Sequence, residues 1–397
     1  MKKKNNSQRG MALLMTLWLV IILAVMVFEL VNLVRVESNV VINFKEDAQS
    51  YFLAEAGIIQ GINSLLDDES KDYDSLEDVW AQEISQELET GSFTVKIVDE
   101  QRKININEID TAVLKEFLKL WTPLNSDELT ESINDFKDAN LKKWDGGLEE
   151  GNNKNLLFDT IEELQLVPGI VEGNLFYKLK DYITVTGKIN LNIVDNKTLA
   201  TLMFEAGTYT ELSNNEASFL ESEKTIEGYE KMADVAINMR KAKKEGEGSL
   251  PYIITNTDTR LITALGEEHY ERIKPYVTWL GKINVNTAGK EVLSAFFLGV
   301  LGADSGHFAD EIISARNKSP FKTYQELNEI ADFTTINKAN DYIPVREYLT
   351  IKSTCFTLES IGQSKESQLI KKITTIVERR EEKDGRFQIK ILSWHTE

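Results

Sequence analysis

Residues 9–28 read RGMALLMTLWLVIILAVMVF, and this stretch decides the architecture. From Met11 to Phe28, eighteen apolar or neutral residues follow one another without a charge. That is the threshold length for a membrane-spanning helix. Lys2, Lys3, Lys4 and Arg9 precede the run, and Glu29, Glu37, Glu46 and Asp47 follow it. Basic residues stay on the cytoplasmic side, so the N-terminus is expected inside and the body outside. A secretory signal would end in a small-residue site after the apolar run. Here the small-residue junction beside the basic cluster is Arg9-Gly10, before the run. Cleavage between Gly10 and Met11 would leave the membrane helix on the mature chain. The alternative is an uncleaved signal anchor.

Between the apolar run and Gly57 the chain has neither Pro nor Gly. Phe44, Ala48, Tyr51, Phe52, Ile58, Ile59, Ile62, Leu65 and Leu66 mostly follow i, i+3/i+4 spacing, with Glu55 the one charge inside the stripe. One continuous helix is expected. Its part in lipid covers residues 11–33, and residues 34–66 turn an apolar stripe toward the body.

The remaining composition is that of a globular protein: 42% hydrophobic and 27% charged in 397 residues. The net charge is −19, and without the four positive charges of the first ten residues it becomes −23. A body that acidic repels phosphate backbones. The short cluster Arg240, Lys241, Lys243, Lys244 is followed by Glu245 and Glu247 and reads as a solvated loop rather than a nucleic-acid contact. Cys355 has no second cysteine to pair with inside the chain. No enzyme signature is present: His269, His307 and His395 are far apart, and there is no H-E-x-x-H, G-x-S-x-G or P-loop.

Residues 67–91 are acidic, with an amphipathic patch around Val79, Trp80, Ile84 and Leu88. Strands are expected at 92–98, 356–361, 373–377 and 387–392, where apolar and polar residues largely alternate. Between them, residues 110–350 are mostly helical in pattern, so a helical block interrupts strands of one sheet. The fold class is therefore α+β: a long N-terminal helix on a small antiparallel sheet with a large all-helical insertion. The insertion contains a repeat, YITVTGKINLN at 182–192 and YVTWLGKINVN at 276–286, with a weaker copy KININ at 103–107. Each is followed by a helix with an apolar pair, Val113-Leu114, Leu199-Ala200 or Val292-Leu293. Asn107, Asn192 and Asn286 are suited to cap or turn into those helices.

The stretch INVNTAGKEVLSAFF, with ADEIISARNKSPFKTYQELNEI after it, resembles helix-hairpin-helix proteins, as does IEELQLVPGI at 161–170. Asp135, Asp138 and Asn140, then Gly146-Gly147 and Glu149, offer hard oxygen ligands around a glycine turn, which suits calcium. The spacing is not that of an EF-hand. The alternative is a solvated acidic loop capping a helix.

The Gly-terminated basic leader, RGMALL, the long helix and QSYFLAEAGI resemble pilin-like proteins. Within them the chain is similar to the K-type minor pseudopilins of type II (general) secretion, which lack the pilin glutamate at the fifth mature position. Counting from Met11, that position is Met15. The resemblance continues through residues 135–149, where the family pattern D-W-x-D-x-D with a later G-A-E is met by Asp135, Asp138, Asn140 and Glu149. The departures are Phe136 for Trp, Asn140 for the last Asp and Leu148 for Ala. It extends through 155–170 and the tail IKILSW at 389–394.

The resemblance implies a leader at 1–10 removed by a prepilin peptidase, methylation of the new terminus, and an α/β domain formed by 67–109 and 351–397 around an inserted domain at 110–350. It also implies I-type and J-type minor pseudopilins as partners, a place at the tip of the pseudopilus in assembly and export, an inner-membrane location with the body periplasmic, calcium as ligand, and no nucleic acid. Two other readings remain open: a membrane-anchored helix-hairpin-helix DNA-binding protein and a type IV pilus minor pilin.

Overall fold

The computed structural model describes residues 6–122, 125–139, 153–171, 174–213, 222–241, 259–278, 281–334, 336, 344–366, 369–382 and 385–397. Helix α1 (Asn6–Leu66) is unbroken over 61 residues. At ~1.5 Å per residue it is roughly 90 Å long, about three times a bilayer's hydrocarbon thickness. With no Pro in it and no Gly between Gly10 and Gly57, nothing interrupts its hydrogen-bond ladder. It begins before Met11, so Gly10 lies within the helix and not ahead of it.

The body follows in chain order. Strands β1 (Ile84–Leu88) and β2 (Gly91–Asp99) form a hairpin. Then come β3 (Ile104–Asn105), α2 (Thr111–Lys119), α3 (Ser126–Lys137), α4 (Leu175–Leu179), β4 (Ile183–Thr184) and β5 (Ile189–Asn190). They are followed by α5 (Asn196–Ser213), α6 (Ser222–Lys241), α7 (Thr259–Leu265), α8 (Glu267–Ile273) and β6 (Val277–Thr278). Next are β7 (Ile283–Asn284), α9 (Lys290–Leu301), α10 (His307–Arg316), α11 (Tyr324–Asn328) and β8 (Leu349–Thr350). Strands β9 (Cys355–Ser364), β10 (Ile370–Glu381) and β11 (Phe387–Thr396) complete the chain.

One antiparallel sheet has the order β1-β2-β9-β10-β11. Its neighbours β2 and β9 pair from Gly91↔Ser364 to Asp99↔Phe356, so the whole insertion leaves and re-enters at one end of the sheet. The expected strands at 92–98, 356–361, 373–377 and 387–392 are present. The patch at 79–88 is not helical. Val79–Ala81 is a single 3-10 turn that buries Trp80 edge-on against Phe356, 5.1 Å between ring centres. Ile84–Leu88 is pulled into the sheet by hairpin pairing with β2, which overrides its helical spacing.

Helix α1 lies on the sheet through a seam of small residues. Ser50, Ala54, Gly57 and Gly61 face it, with Leu53, Ile58 and Leu65 filling the sides. Gly362 of β9 sits directly under the backbone of Ser50 and Ala54, and a Cβ on Gly61 would meet Leu358 at 2.8 Å. Phe44, Phe52 and Ile59, three members of the expected stripe, are exposed instead, because the close approach rotates the buried face toward the glycines. The helix runs from Ser50, whose hydroxyl donates to the carbonyl of Leu369, to Gly61 beside Leu358. The insertion therefore leaves from the end of the sheet farthest from the apolar half of α1.

The insertion consists of three consecutive loops of chain, each closed by a two-stranded parallel pair: β3 with β4, β5 with β6, and β7 with β8. Each opens on Lys-Ile-Asn-x-Asn and closes on Tyr-x-Thr. The repeat at 182–192 is thus the end of one loop joined to the start of the next. The third closing copy, Tyr348-Leu349-Thr350, matches the other two in sequence and pairs with Ile283-Asn284. The block is helical but not all-helical, since these ties belong to it. Its first core takes in Ile104, Ile106 and Ile109, ahead of residue 110, and ends at Ile351; a second core is centred on α5 and α6.

The first asparagine of each opening, not the second, makes the turn. Asn105, Asn190 and Asn284 accept through Oδ1 from the backbone N–H of Asn107, Asn192 and Asn286 at 2.9–3.0 Å. Asn107 and Asn286 instead clamp a distant backbone. Asn107 exchanges two hydrogen bonds with Phe158 and Asn286 two with Phe321. The helix caps come from elsewhere: Asp110 accepts from Ala112 N–H. A cation supports each of these two turns, buried in the first and half-buried in the third. Lys137 at the end of α3 donates to the carbonyls of Ile106 and Asn107, and Arg316 at the end of α10 to those of Val285 and Ala288. The first and third loops are thus copies of one device, packed against each other where Gly299 of α9 meets the backbone of Val113 in α2.

Replacing Gly362 by Val tests the helix-on-sheet seam. Overpacking of this kind costs about 1–3 kcal/mol, so the chemical-denaturation midpoint of the body is expected to fall accordingly. An unchanged midpoint would mean that α1 does not lie against β9.

Candidate functional site

The neck of the insertion is the most polar buried region described. Asp99, the last residue of β2, is 1% exposed. Its Oδ2 accepts from Thr287 Oγ1 at 2.6 Å, Ser353 Oγ at 2.7 Å and Asn284 Nδ2 at 3.2 Å, and its Oδ1 accepts from Gln101 N–H at 2.7 Å. Beside it, Arg379 of β10 grips Asp74 with one nitrogen at 2.5 and 2.6 Å and Asp68 with the other at 3.1 Å. Ser353 N–H donates to Asp74, and Ser353 C=O accepts from Arg379. The loop after α1, the sheet and the insertion meet here. Burial raises the carboxyl of Asp99, against its hydroxyl and amide donors. Burial also pushes Asp74 up to about 7, against the pull of Arg379. Removing one partner of a buried pair typically costs about 3–5 kcal/mol, because the other charge stays behind.

The residues singled out from the sequence are dispersed. Met11 and Met15 lie in the solvent-facing apolar part of α1, with Met15 70% exposed. Gly10 is in the same helix. The helix is long and apolar enough to cross a membrane, and no part of its apolar window is covered by the rest of the chain. Asp135 and Asp138 are both buried at the C-terminal end of α3. Lys197 of α5 reaches Asp138 Oδ2 at 3.0 Å, and Ala139 N–H donates to Thr201, so the first and second loops meet at this point. Asn140 and Glu149 lie outside the described residues, as do Lys243 and Lys244. Two buried carboxylates give the described half of the set the hard-oxygen chemistry that calcium requires. The Lys197 ammonium beside Asp138 supplies competing positive charge.

Asp68, Asp74 and Asp78 place carboxylate oxygens within 4.8 Å of one another. In sequence these three are only part of the acidic stretch 67–91, because the cation that draws them together, Arg379, comes from a remote strand. Arg379 neutralises two of its members and Ser75 bonds the third.

A long apolar helix extending from a small helix-on-sheet body, with helical loops inserted at the far end, is a pilin-like α+β fold. Residues 283–346, which fall within the third inserted loop, match the family model described as Type II secretion system (T2SS), protein K. The resemblance read from the sequence points to the same family. A chain of the structure titled "The Crystal Structure of the GspK-GspI-GspJ complex from enterotoxigenic Escherichia coli Type 2 Secretion System" is similar over 89% of this chain and 98% of that chain, at 14% identity and a TM-score of 0.44. No curated protein matches the chain.

One titration is set by this packing. Glu205 of α5 accepts from Leu157 N–H at 2.6 Å, and burial pushes its carboxyl from 4.5 to about 7. The folded chain therefore holds a proton that the unfolded chain has released. The associated stability is complete below pH 4.5 and is lost as pH rises through about 7. Gln at this position keeps the acceptor without the titration. Between pH 5 and pH 8 the wild type is expected to lose on the order of 1–2 kcal/mol relative to Glu205→Gln, after allowance for partial exposure. Parallel denaturation midpoints across that range would show that Glu205 is not perturbed.

Proposed function

We propose that the chain is a K-type minor pseudopilin that ends the pseudopilus of a type II secretion system in the inner membrane. The observation that carries this is the family match at 283–346 falling on a loop inserted at the membrane-distal end of a helix-on-sheet body. In this reading Met11 is the first residue of the mature chain after a prepilin peptidase removes residues 1–10. The N-terminus is cytoplasmic before cleavage and the body periplasmic, in keeping with the charges flanking the apolar run. Met15 offers no carboxylate to the terminal amine of a subunit arriving above it, and an unpaired charge in lipid is costly. The insertion occupies the same distal end and obstructs stacking. The subunit therefore starts the filament and supports export from its tip. I-type and J-type minor pseudopilins are its partners.

Asp135 and Asp138, with Asn140 and Glu149, are the residues that would hold calcium. The ion would supply positive charge to a buried acidic junction between the first two inserted loops.

Two measurements test this reading. Gly10→Phe is expected to leave the leader in place when the membrane-extracted protein is sequenced from its N-terminus, whereas the wild type begins at Met11. A mature wild-type chain beginning elsewhere overturns the assignment. Chelation by EGTA is expected to lower the melting temperature of the protein by several degrees, and Asp138→Asn is expected to abolish that difference. Identical melts with and without chelator would remove the ion.

A further inference from the structure

The two edges of the sheet are unlike. β1 is five residues long and is flanked or interrupted by Glu83, Glu87 and Glu89. A short charged edge resists further pairing. β11 is ten residues long, with no Pro and no acidic residue from Phe387 to Thr396. Among the described residues no strand lies on its outer side. A long edge without acidic residues, whose one fixed charge is Lys390, is a template for another chain.

Register assigns chemistry to its two faces. Ile373, Thr375 and Val377 of β10 are buried on the side of the sheet that α1 covers. Opposite them and their neighbours on β11 lie Trp394, Ile391 and Ile389. Ile391 is 48% exposed and Trp394 38%. The apolar face of the sheet thus extends onto β11, where Ile391 and Trp394 are only partly covered. On the reverse side Lys390 lies opposite Glu378. That carboxylate is already shared by Arg380 and Lys188, which leaves excess positive charge in a body that is otherwise strongly acidic.

We propose that β11 is extended by an edge strand of a different pseudopilin, with apolar side chains over Ile389, Ile391 and Trp394 and a carboxylate facing Lys390 and Arg380. Charge argues against a second copy of this chain, whose own body is acidic and whose β11 would bring a like basic row. The pairing rests on the reading that pseudopilins are the partners, and it names the strand they use.

Hydrogen–deuterium exchange of the full chain in detergent, alone and with purified I-type or J-type pseudopilin, tests it. Amides of β11 are expected to become protected in one of the two complexes. Ile391→Lys with Trp394→Lys is expected to weaken that complex at least tenfold, and Lys390→Glu several-fold, with unchanged circular dichroism. If the double variant unfolds, the wild-type exchange pattern decides. A stable complex in which β11 exchanges as in the free chain overturns this proposal and leaves the secretion assignment standing. Protection of β11 through self-association also overturns it. No complex with either partner overturns both readings.

Discussion

A single buried carboxylate, Asp99, holds the sheet and the insertion to one geometry. It sits where the chain leaves β2, directly opposite Phe356, where the chain returns. Taking a carboxylate out of water costs several kcal/mol, and hydrogen bonds to a charged group return about 1.5–3 kcal/mol each. Four donors at Asp99 therefore offset much of the cost, and one would not. Three of those donors, Thr287, Asn284 and Ser353, belong to or close the third inserted loop. The neck is polar where a hinge would be apolar or solvated. Its donors are also directional, so they fix orientation as well as proximity. Arg379 extends the same network to the loop that follows α1, so spine helix, sheet and insertion share one anchor.

The insertion solves a second problem, since two-residue parallel strands contribute little by themselves. Each tie is held by its surroundings. An asparagine turn opens it, and in the first and third loops a bidentate asparagine clamps a phenylalanine backbone and a cation satisfies the turn's carbonyls. Lys137 and Arg316 do the same task from the ends of α3 and α10. Burial lowers the pKa of both, Arg316 to about 10. Loop closure of this length costs only logarithmically more than a short one, so three long loops in series are thermodynamically accessible once each has a closing device.

The large elements were legible because their signals are periodic and local. The membrane run, the strands at the C-terminus and the helical block are all visible as spacing. The repeat was also visible, but its meaning was not. Adjacency in sequence joined Tyr182-Ile183-Thr184 to Lys188-Ile189-Asn190, whereas pairing in space joins the first to Ile104-Asn105 and the second to Val277-Thr278. The match of Tyr348-Leu349-Thr350 to the other closings was the signal that could have revealed this. The exposed Phe44, Phe52 and Ile59 were misplaced for a related reason. Hydrophobic spacing cannot register that glycine and serine form the contact when backbones approach closely. The acidic triad with Arg379, and the donors of Asp99, could not be foreseen, since each partner comes from a remote segment.

The direction in which α1 crosses the sheet gives these parts a common sense. Ser50 meets Gly362, Gly61 meets Leu358, and the neck lies beyond Leu65. Residues 34–45 are exposed, so a stalk of roughly 15–20 Å separates the body from the apolar segment 11–33. Along this axis the apolar anchor, the stalk, the sheet and the insertion follow in order. Any subunit stacked by parallel helices above this one would have to pass through the volume that the three loops fill. A subunit beside it meets the open β11 edge instead. Under the function proposed above, steric closure at the end and an open strand at the side suit a first subunit, which must refuse a neighbour above while recruiting one alongside.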